Sequence, residues 1–322
     1  MKAAVYYATG GPDVFRYEEV PDPQCAPDGV LIEVKAVSIE GGDVLNRAGG
    51  PMAARPHVVG YQCAGIVREV GTKVTDRRPG QRVVAINLNG SHAELRAVPA
   101  GSTWVVPDGV DLEIAACVPI AVGTADDCLF EFGRLEKGET VLVQAGAGGV
   151  GMAAIQLAKR AGATVLATAS SHEKLARLKD LGLDHGINYR ETDFVAAVRE
   201  ITSGRGADVV VDSLGGHILE KSIEAAAYRG RITSVGGAAR DEYRPDVTAL
   251  RPANKSLIGI FFGAELMIHH DRVHPMVARH IADAGSGALR IVVDRRFPLA
   301  EAAEAHRYIE SRKAFGRVLL IP

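Results

Sequence analysis

Two rhythms of hydrophobic and polar positions divide the chain. Over roughly the first 120 residues the apolar positions fall in short β-branched runs, "GVLIEVKAVSI", "HVVGYQCAGIVREV" and "QRVVAINL", separated by clusters of Gly, Pro and Asp. Such runs predict a β-rich unit. From Glu139 apolar strands alternate with helical periods. "TVLVQA" precedes "GVGMAAIQLAKRA", "ATVLATA" precedes "SHEKLARLKDLG", and "HGINY" precedes "ETDFVAAVREITS". "ADVVVDSLG" precedes "HILEKSIEAAAY", and "GRITSVGG" follows. Strands apolar on both faces, alternating with helices, predict an α/β doubly wound parallel sheet. "KSLIGIFFG" is expected as a sixth strand, "HPMVARHIADAG" and "LAEAAEAHRYIESRKA" as helices, and "RVLLIP" as a closing strand.

The turn after the first of these strands carries Gly146, Gly148 and Gly151 in the spacing GxGxxG, with Gly149 and Val150 inside it. A strand before it and a helix after it make the motif a dinucleotide fingerprint. Gly146 is expected to make the tight turn, Gly148 to let a pyrophosphate approach the backbone, and Gly151 to let the helix pack on the strand. The free amides and positive dipole of the helix N-terminus then face the phosphates. About 20 residues further on, an NAD site places an Asp or Glu for the ribose hydroxyls. This chain has Ala169, Ser170 and Ser171, then Lys174. Hydroxyls and a lysine accept a 2′-phosphate that a carboxylate repels, and Tyr189 is placed to add its own hydroxyl. The expected cofactor is therefore NADPH.

Composition narrows the function classes. A chain of 322 residues with 47% hydrophobic content is long enough for two domains. A net charge of −2 with mixed signs gives no case for nucleic acid or an anionic membrane. No apolar run reaches the length of a membrane span, and "MKAAVYYATGG" is too short and polar for a signal peptide. The four cysteines, Cys25, Cys63, Cys117 and Cys128, form no CxxC pair and read as reduced thiols of a cytoplasmic protein. His270 and His274 have ligand spacing but read as the solvated start of a helix. Asp126 and Asp127 are expected at a helix start, where acids suit the dipole.

The mid-chain fingerprint, the β-rich segment before it and the ending "FGRVLLIP" together resemble the medium-chain dehydrogenase/reductase superfamily. More narrowly, the chain resembles its zinc-independent quinone oxidoreductase, or zeta-crystallin-like, branch. The resemblance runs through "MKAAVYYATGGPDVFRYEEVPDP", "VVGYQCAGIVREVGTKVTDRRPGQRVVA", "NGSHAELRAVP" and "GGVG…INYR…DVVVDSLGG". It implies a GroES-like β-barrel domain over 1–121, a Rossmann domain over 122–258, and a segment 259–322 that supplies the last Rossmann strand and returns to the first domain. It implies a substrate cleft at their junction and reduction of quinones, or of the C=C bond of α,β-unsaturated carbonyls, with NADPH. It also implies a homodimer built on the edge of the Rossmann sheet. A non-catalytic NADPH-binding protein, like the crystallins of this branch, is the alternative.

By position, the resemblance puts Thr124 near the nicotinamide, Ser170, Ser171, Lys174 and Tyr189 at the 2′-phosphate, and Ser213, Val235 and Gly236 at strand-end contacts to the cofactor. Zinc-dependent relatives hold a Cys where this chain has Glu40, three residues before Asp43, and a His–Glu pair where it has Tyr61 and Gln62. Only Glu40 qualifies as a ligand type, so no metal is expected. Quinone oxidoreductases of the branch carry Asn at position 40 and often Tyr at position 45, followed by Arg47 and Gly49; here Glu40 and Leu45 stand there. The catalytic candidates are thus Glu40, Tyr61, Asp43 and Arg47. Glu40 is read either as a proton donor or as a structural group bonded to a loop amide or to Arg47. Tyr61 is read either as a donor to a substrate carbonyl or as core packing.

Overall fold

The computed structural model describes residues 1–322. The chain forms two compact units, Met1–Ile120 with Leu266–Pro322, and Ala121–Glu265. The first unit opens with strands β1 (Lys2–Tyr6), β2 (Arg16–Glu19) and β3 (Gly29–Ser38), then helix α1 (Gly41–Gly49). Strands β4 (His57–Val58), β5 (Gln62–Val70), β6 (Arg82–Ile86), β7 (Leu95–Pro99) and β8 (Thr103–Val105) follow, then α2 (Leu112–Ala116). Helix α3 (Pro119–Asp126) carries the chain onward.

The second unit alternates β9 (Thr140–Val143), α4 (Gly149–Arg160), β10 (Thr164–Ala169), α5 (His172–Lys179), β11 (His185–Asn188) and α6 (Phe194–Ile201). It continues with β12 (Ala207–Asp212), α7 (Gly216–Ala225), β13 (Ala226–Ser234) and β14 (Ser256–Gly259). After α8 (Phe262–Ile268), the first unit is completed by α9 (His270–Ser286), β15 (Val293–Pro298), α10 (Ala302–Glu310) and β16 (Arg317–Ile321).

All neighbours in the second unit's sheet are parallel, in the order β11-β10-β9-β12-β13-β14. Counted within the unit this is 3-2-1-4-5-6, the Rossmann order, whose ligand crevice lies past the strand ends where the order reverses. Here that point lies between β9 and β12. The central strands are buried end to end, Val141, Leu142 and Val143 at 0% exposure, because helices cover both faces. Leu142, Leu166, Val210, Ile223 and Ile232 share one core.

In the first unit β16 joins the sheet β15-β16-β3-β5-β6-β8, with β7 also on β3, and β2-β1-β4 forms a second sheet. Its core combines Val30, Ile32, Val34, Val67, Val83 and Val98 with Leu299, Val318 and Leu320. The last residues of the chain are therefore part of the first unit's core.

Local chemistry overrides the hydrophobic pattern in several places. "HVVGYQCAGIVREV" is not one strand. Gly60, at φ +114°, breaks it, and a Cβ there would stand 1.9 Å from Ser91 Oγ. "KSLIGIFFG" is strand only as far as Gly259 and turns helical from Phe262. Asp126 and Asp127 do not begin a helix: Asp126 ends α3 and Asp127 opens a π-helical turn to Glu131, both buried. The dipole argument for them therefore fails. His270 and His274 do stand at the start of α9, but neither is simply solvated. Each Nε2 lies 3.1 Å from a backbone carbonyl, those of Gly101 and Thr103. His274 also stacks on Trp104. No helix is long and apolar enough to cross a membrane.

Candidate active site

In the second unit the glycine turn sits past the end of β9. Gly148 is the N-cap of α4 and supplies no side chain to satisfy the first amides. Those amides are left for an anion. A Cβ on Gly151 would lie 2.4 Å from the Ala145 carbonyl, and one on Gly146 would lie 2.9 Å from Ala167 Cβ. Glycine at 151 lets α4 approach the turn, and glycine at 146 lets the turn lie against β10. Gly149 and Val150 form the first helical residues.

A buried polar chain behind this turn was not legible as a motif. The Ala145 amide donates to Thr168 Oγ1 (3.2 Å), whose hydroxyl donates to Gln144 Oε1 (2.7 Å). Gln144 Nε2 donates to Ser222 Oγ (3.1 Å), which donates to Asp212 Oδ2 (2.7 Å). The other Asp212 oxygen takes the amides of Leu214 and Gly215, both at 2.9 Å. Burial pushes the Asp212 carboxyl up, against these hydrogen bonds. The chain locks the ends of β9, β10 and β12 together. A single polar residue interrupting each apolar strand end is the only sequence signal for it.

The remaining cofactor candidates, Thr124 apart, lie at the same ends of the strands. The Tyr189 amide donates to the Ala169 carbonyl (3.2 Å), which sets Tyr189 beside Ser170. Ser171 caps α5, accepting the Lys174 amide at 3.3 Å. Asp184 is turned away: it accepts the Val165 amide and pairs with Lys159. Val235 donates to the Asp212 carbonyl (2.8 Å), and a Cβ on Gly236 would lie 3.3 Å from the Ser213 carbonyl, so Ser213, Val235 and Gly236 adjoin. Thr124 is buried in α3. These residues fit an NADP-type dinucleotide: a capless helix start, a close backbone approach, and hydroxyls in place of an acid.

In the first unit Glu40, Asp43 and Tyr61 meet at the start of α1, whereas Arg47 lies in its last turn. The Glu40 amide donates to Asp43 Oδ2 (2.9 Å), and the other Asp43 oxygen takes the Tyr61 amide (3.1 Å). Burial pushes the Asp43 carboxyl up to about 7. The Glu40 carboxylate is 5% exposed and is bound by Gln62 Nε2 and by the Arg317 guanidinium of β16. Arg317 also donates to Ser38 Oγ and to the Ile39 carbonyl. Gln62 in turn accepts the Ile120 amide in the first turn of α3 (3.0 Å). Burial raises the Glu40 carboxyl, with Arg317 and Gln62 pulling the other way. A neutral Glu40 would leave Arg317 a buried cation without a counter-charge, so the pair is ionic at neutral pH.

Glu40 thus pairs with Arg317, not with Arg47. Arg47 is fully buried and its guanidinium reaches Glu310 of α10. Tyr61 is the one catalytic candidate with solvent access. Its hydroxyl accepts from Asn46 Nδ2 (2.9 Å). Burial, then the charge of Asp43, raises the phenol above its ordinary value. Arg96, 2% exposed, secures the turn by donating to the carbonyls of Gly60, Tyr61, Asn87 and Asn89. Arg317, Arg96 and Asn46 were outside the expected site, and their partners come from distant parts of the chain. Nowhere do three His, Cys, Asp or Glu side chains converge as a metal ion requires.

The alcohol dehydrogenase GroES-like domain matches residues 26–108, and the zinc-binding dehydrogenase domain matches residues 149–280. A 2-haloacrylate reductase of Burkholderia sp is 34% identical over 339 residues, spanning 100% of this chain and 99% of that protein. The chain belongs to the quinone oxidoreductase branch of the medium-chain dehydrogenase/reductase superfamily. A quinone oxidoreductase of Pseudomonas aeruginosa is 32% identical over 328 residues, covering 100% of this chain and 99% of its own length. The Escherichia coli quinone oxidoreductase complexed with NADPH superposes with a TM-score of 0.95 at 28% identity, with full coverage of both chains. The two-unit architecture is therefore the branch's Rossmann sheet plus GroES-like domain.

Proposed function

We propose that this protein is an NADPH-dependent reductase of small electron-poor alkenes conjugated to a carbonyl, with quinones as a second substrate class, and that it works without zinc. Bound at the glycine turn, NADPH supplies a hydride. Gly146, Gly148 and Gly151 would hold its pyrophosphate, and Ser170, Ser171, Lys174 and Tyr189 its 2′-phosphate. Thr124, Ser213, Val235 and Gly236 would line the rest of the cofactor.

The observation that carries the chemistry is the contrast between Glu40 and Tyr61. The one ligand-type side chain at the zinc positions is consumed by Arg317 and Gln62. The accessible group beside it is a neutral phenol. When a hydride adds to the β-carbon, the π electrons move onto the carbonyl oxygen. The Tyr61 hydroxyl stabilises that enolate by a hydrogen bond, and solvent water protonates the α-carbon. The sum is one NADPH and one proton consumed per C=C bond reduced. Asp43 holds the Tyr61 backbone, while Glu40 and Arg47 serve as structural anchors. A 2-haloacrylate reductase among the relatives supports this substrate class.

The test is NADPH oxidation with chloroacrylate, cyclohexenone and p-benzoquinone, alongside elemental analysis of the active protein. Turnover of a conjugated carbonyl with no stoichiometric metal is expected. Absence of turnover on all three compounds would sink the reductase reading. About one zinc per chain, with activity lost on chelation, would sink the metal-free reading.

A further inference from the structure

We propose that Asn46 is a positioning residue that makes the Tyr61 hydroxyl a donor, and so sets the direction of the hydrogen bond offered to the substrate. The inference rests on the reading of Tyr61 given above. A phenol has one hydrogen and two acceptor lone pairs. The Asn46 amide nitrogen donates into one of those lone pairs at 2.9 Å. The tyrosine's own hydrogen is then unused by the protein and free to point outward.

Three features show that the pair is built. Asp43 and Asn46 are three residues apart on α1 and so share a face. That face holds Tyr61 at both ends, its amide by Asp43 and its hydroxyl by Asn46. Gly42 lies one turn before Asn46, and a Cβ there would stand 2.4 Å from Tyr61 Cε2, so only glycine lets the ring lie along the helix. At the other side Arg96 fixes the Tyr61 carbonyl at 2.9 Å. A hydroxyl held this rigidly gains its direction from whatever it accepts from. Were position 46 an acceptor only, the phenol would donate inward and present lone pairs to the substrate, where the developing charge is also negative.

The test reverses the hydrogen bond without changing its shape. Asn46→Asp is nearly isosteric, but its ionised carboxylate only accepts. With cyclohexenone, Asn46→Asp should lower kcat about as far as Tyr61→Phe does, by tenfold or more, and leave NADPH affinity within twofold. In the Tyr61→Phe background it should add less than a twofold loss. Its deficit should shrink as pH falls and the introduced carboxyl gains a proton to donate. Asn46→Gln, which keeps a donor, should recover part of the rate. The proposal fails if Asn46→Asp turns over at the wild-type rate while Tyr61→Phe is slow. It also fails if Asn46→Asp slows the Tyr61→Phe enzyme as much as it slows the wild type. Undiminished turnover in Tyr61→Phe overturns instead the underlying reading of Tyr61, and this proposal with it.

Discussion

Arg317 of β16 closes a buried ion pair on Glu40, the residue that begins α1; the two side chains are 8% and 6% exposed. Positions 40 and 317 lie near opposite ends of the chain, so the pair ties the returning C-terminal strand to the start of α1. Through Gln62 it also fixes the first turn of α3. Breaking a buried pair on one side leaves an uncompensated charge and typically costs about 3–5 kcal/mol, whereas replacing both partners by apolar groups is often near neutral. Arg317→Met is therefore expected to destabilise the first unit by that amount, and Glu40→Leu/Arg317→Met by clearly less. Trp104, the one tryptophan, lies in this unit, so its fluorescence in urea reports the relevant transition. Additive losses in the double variant would mean that the pair does not act as a unit.

Cofactor choice should turn on Ser170. It follows the end of β10 beside Tyr189, where NAD sites carry an acid. Ser170→Asp places a carboxylate where a 2′-phosphate would lie. Losing one charge-assisted hydrogen bond costs roughly 1.5–3 kcal/mol, or about tenfold to a hundredfold in affinity. NADPH should bind the variant at least tenfold more weakly, with NADH unchanged or tighter. Fluorescence titration of both nucleotides decides it, and equal weakening of the two would show that Ser170 does not read the phosphate.

Patterns carried by neighbouring residues were legible in the sequence, and pairings between distant residues were not. Most Rossmann strands are apolar runs followed by their own helix, so β9 to β14 could be placed from periodicity, and the glycine spacing marked the turn between β9 and α4. The broken run at Gly60 was hidden because its cause, the Ser91 and His92 side chains, lies some thirty residues away. Glu40 stood out in the sequence by its position, but its partner Arg317 sits at the far end of the chain and nothing local marks it. Asp126 and Asp127 misled for the opposite reason. Their local pattern suits a helix start, yet the chain runs α3 straight into a π-helical turn there.

The Rossmann sheet has an open edge at β14, whose outer strand is short and apolar, with Phe261 61% exposed just beyond it. Unpaired strand edges attract other strands unless blunted by charge or proline. Two copies pairing there would extend one sheet, and we propose a homodimer of this kind. Sedimentation at tens of micromolar should give twice the 34.0 kDa chain mass, and Phe261→Glu should shift the protein toward monomer. A monomeric mass for the wild type rules the dimer out.

Acid sensitivity of the first unit should trace to His92 and His306. Both are fully buried, and their Nε2 atoms lie 3.1 Å apart, with Phe15 against both rings. One nitrogen must donate and the other accept, so the two rings cannot both be protonated, and burial favours the neutral form of each. Burial, then the charge of Arg96, pushes His92 down to about 3. Burial, then His92 and Arg47, pushes His306 well down too. In the unfolded chain both titrate near 6.5. Between about 3 and 6.5 the unfolded state therefore binds protons that the folded state refuses. Stability rises with pH across this window and is lost as pH falls from 6.5. The slope is about 1.4 kcal/mol per pH unit for each imidazole, or roughly 2 kcal/mol each between pH 7 and pH 5. Asp43, raised to about 7, acts in the opposite sense, since its folded form keeps a proton that the unfolded form has released. The wild-type slope is thus a sum, and the comparison with a variant isolates the imidazole part. His92→Gln keeps a polar partner for His306 without a titrating ring. Its unfolding free energy in urea, followed by Trp104 fluorescence, should fall less steeply between pH 6.5 and pH 5, by about 1 kcal/mol per pH unit. Parallel curves for wild type and variant would show that His92 is already protonated in the folded protein, or never the group that resists the proton.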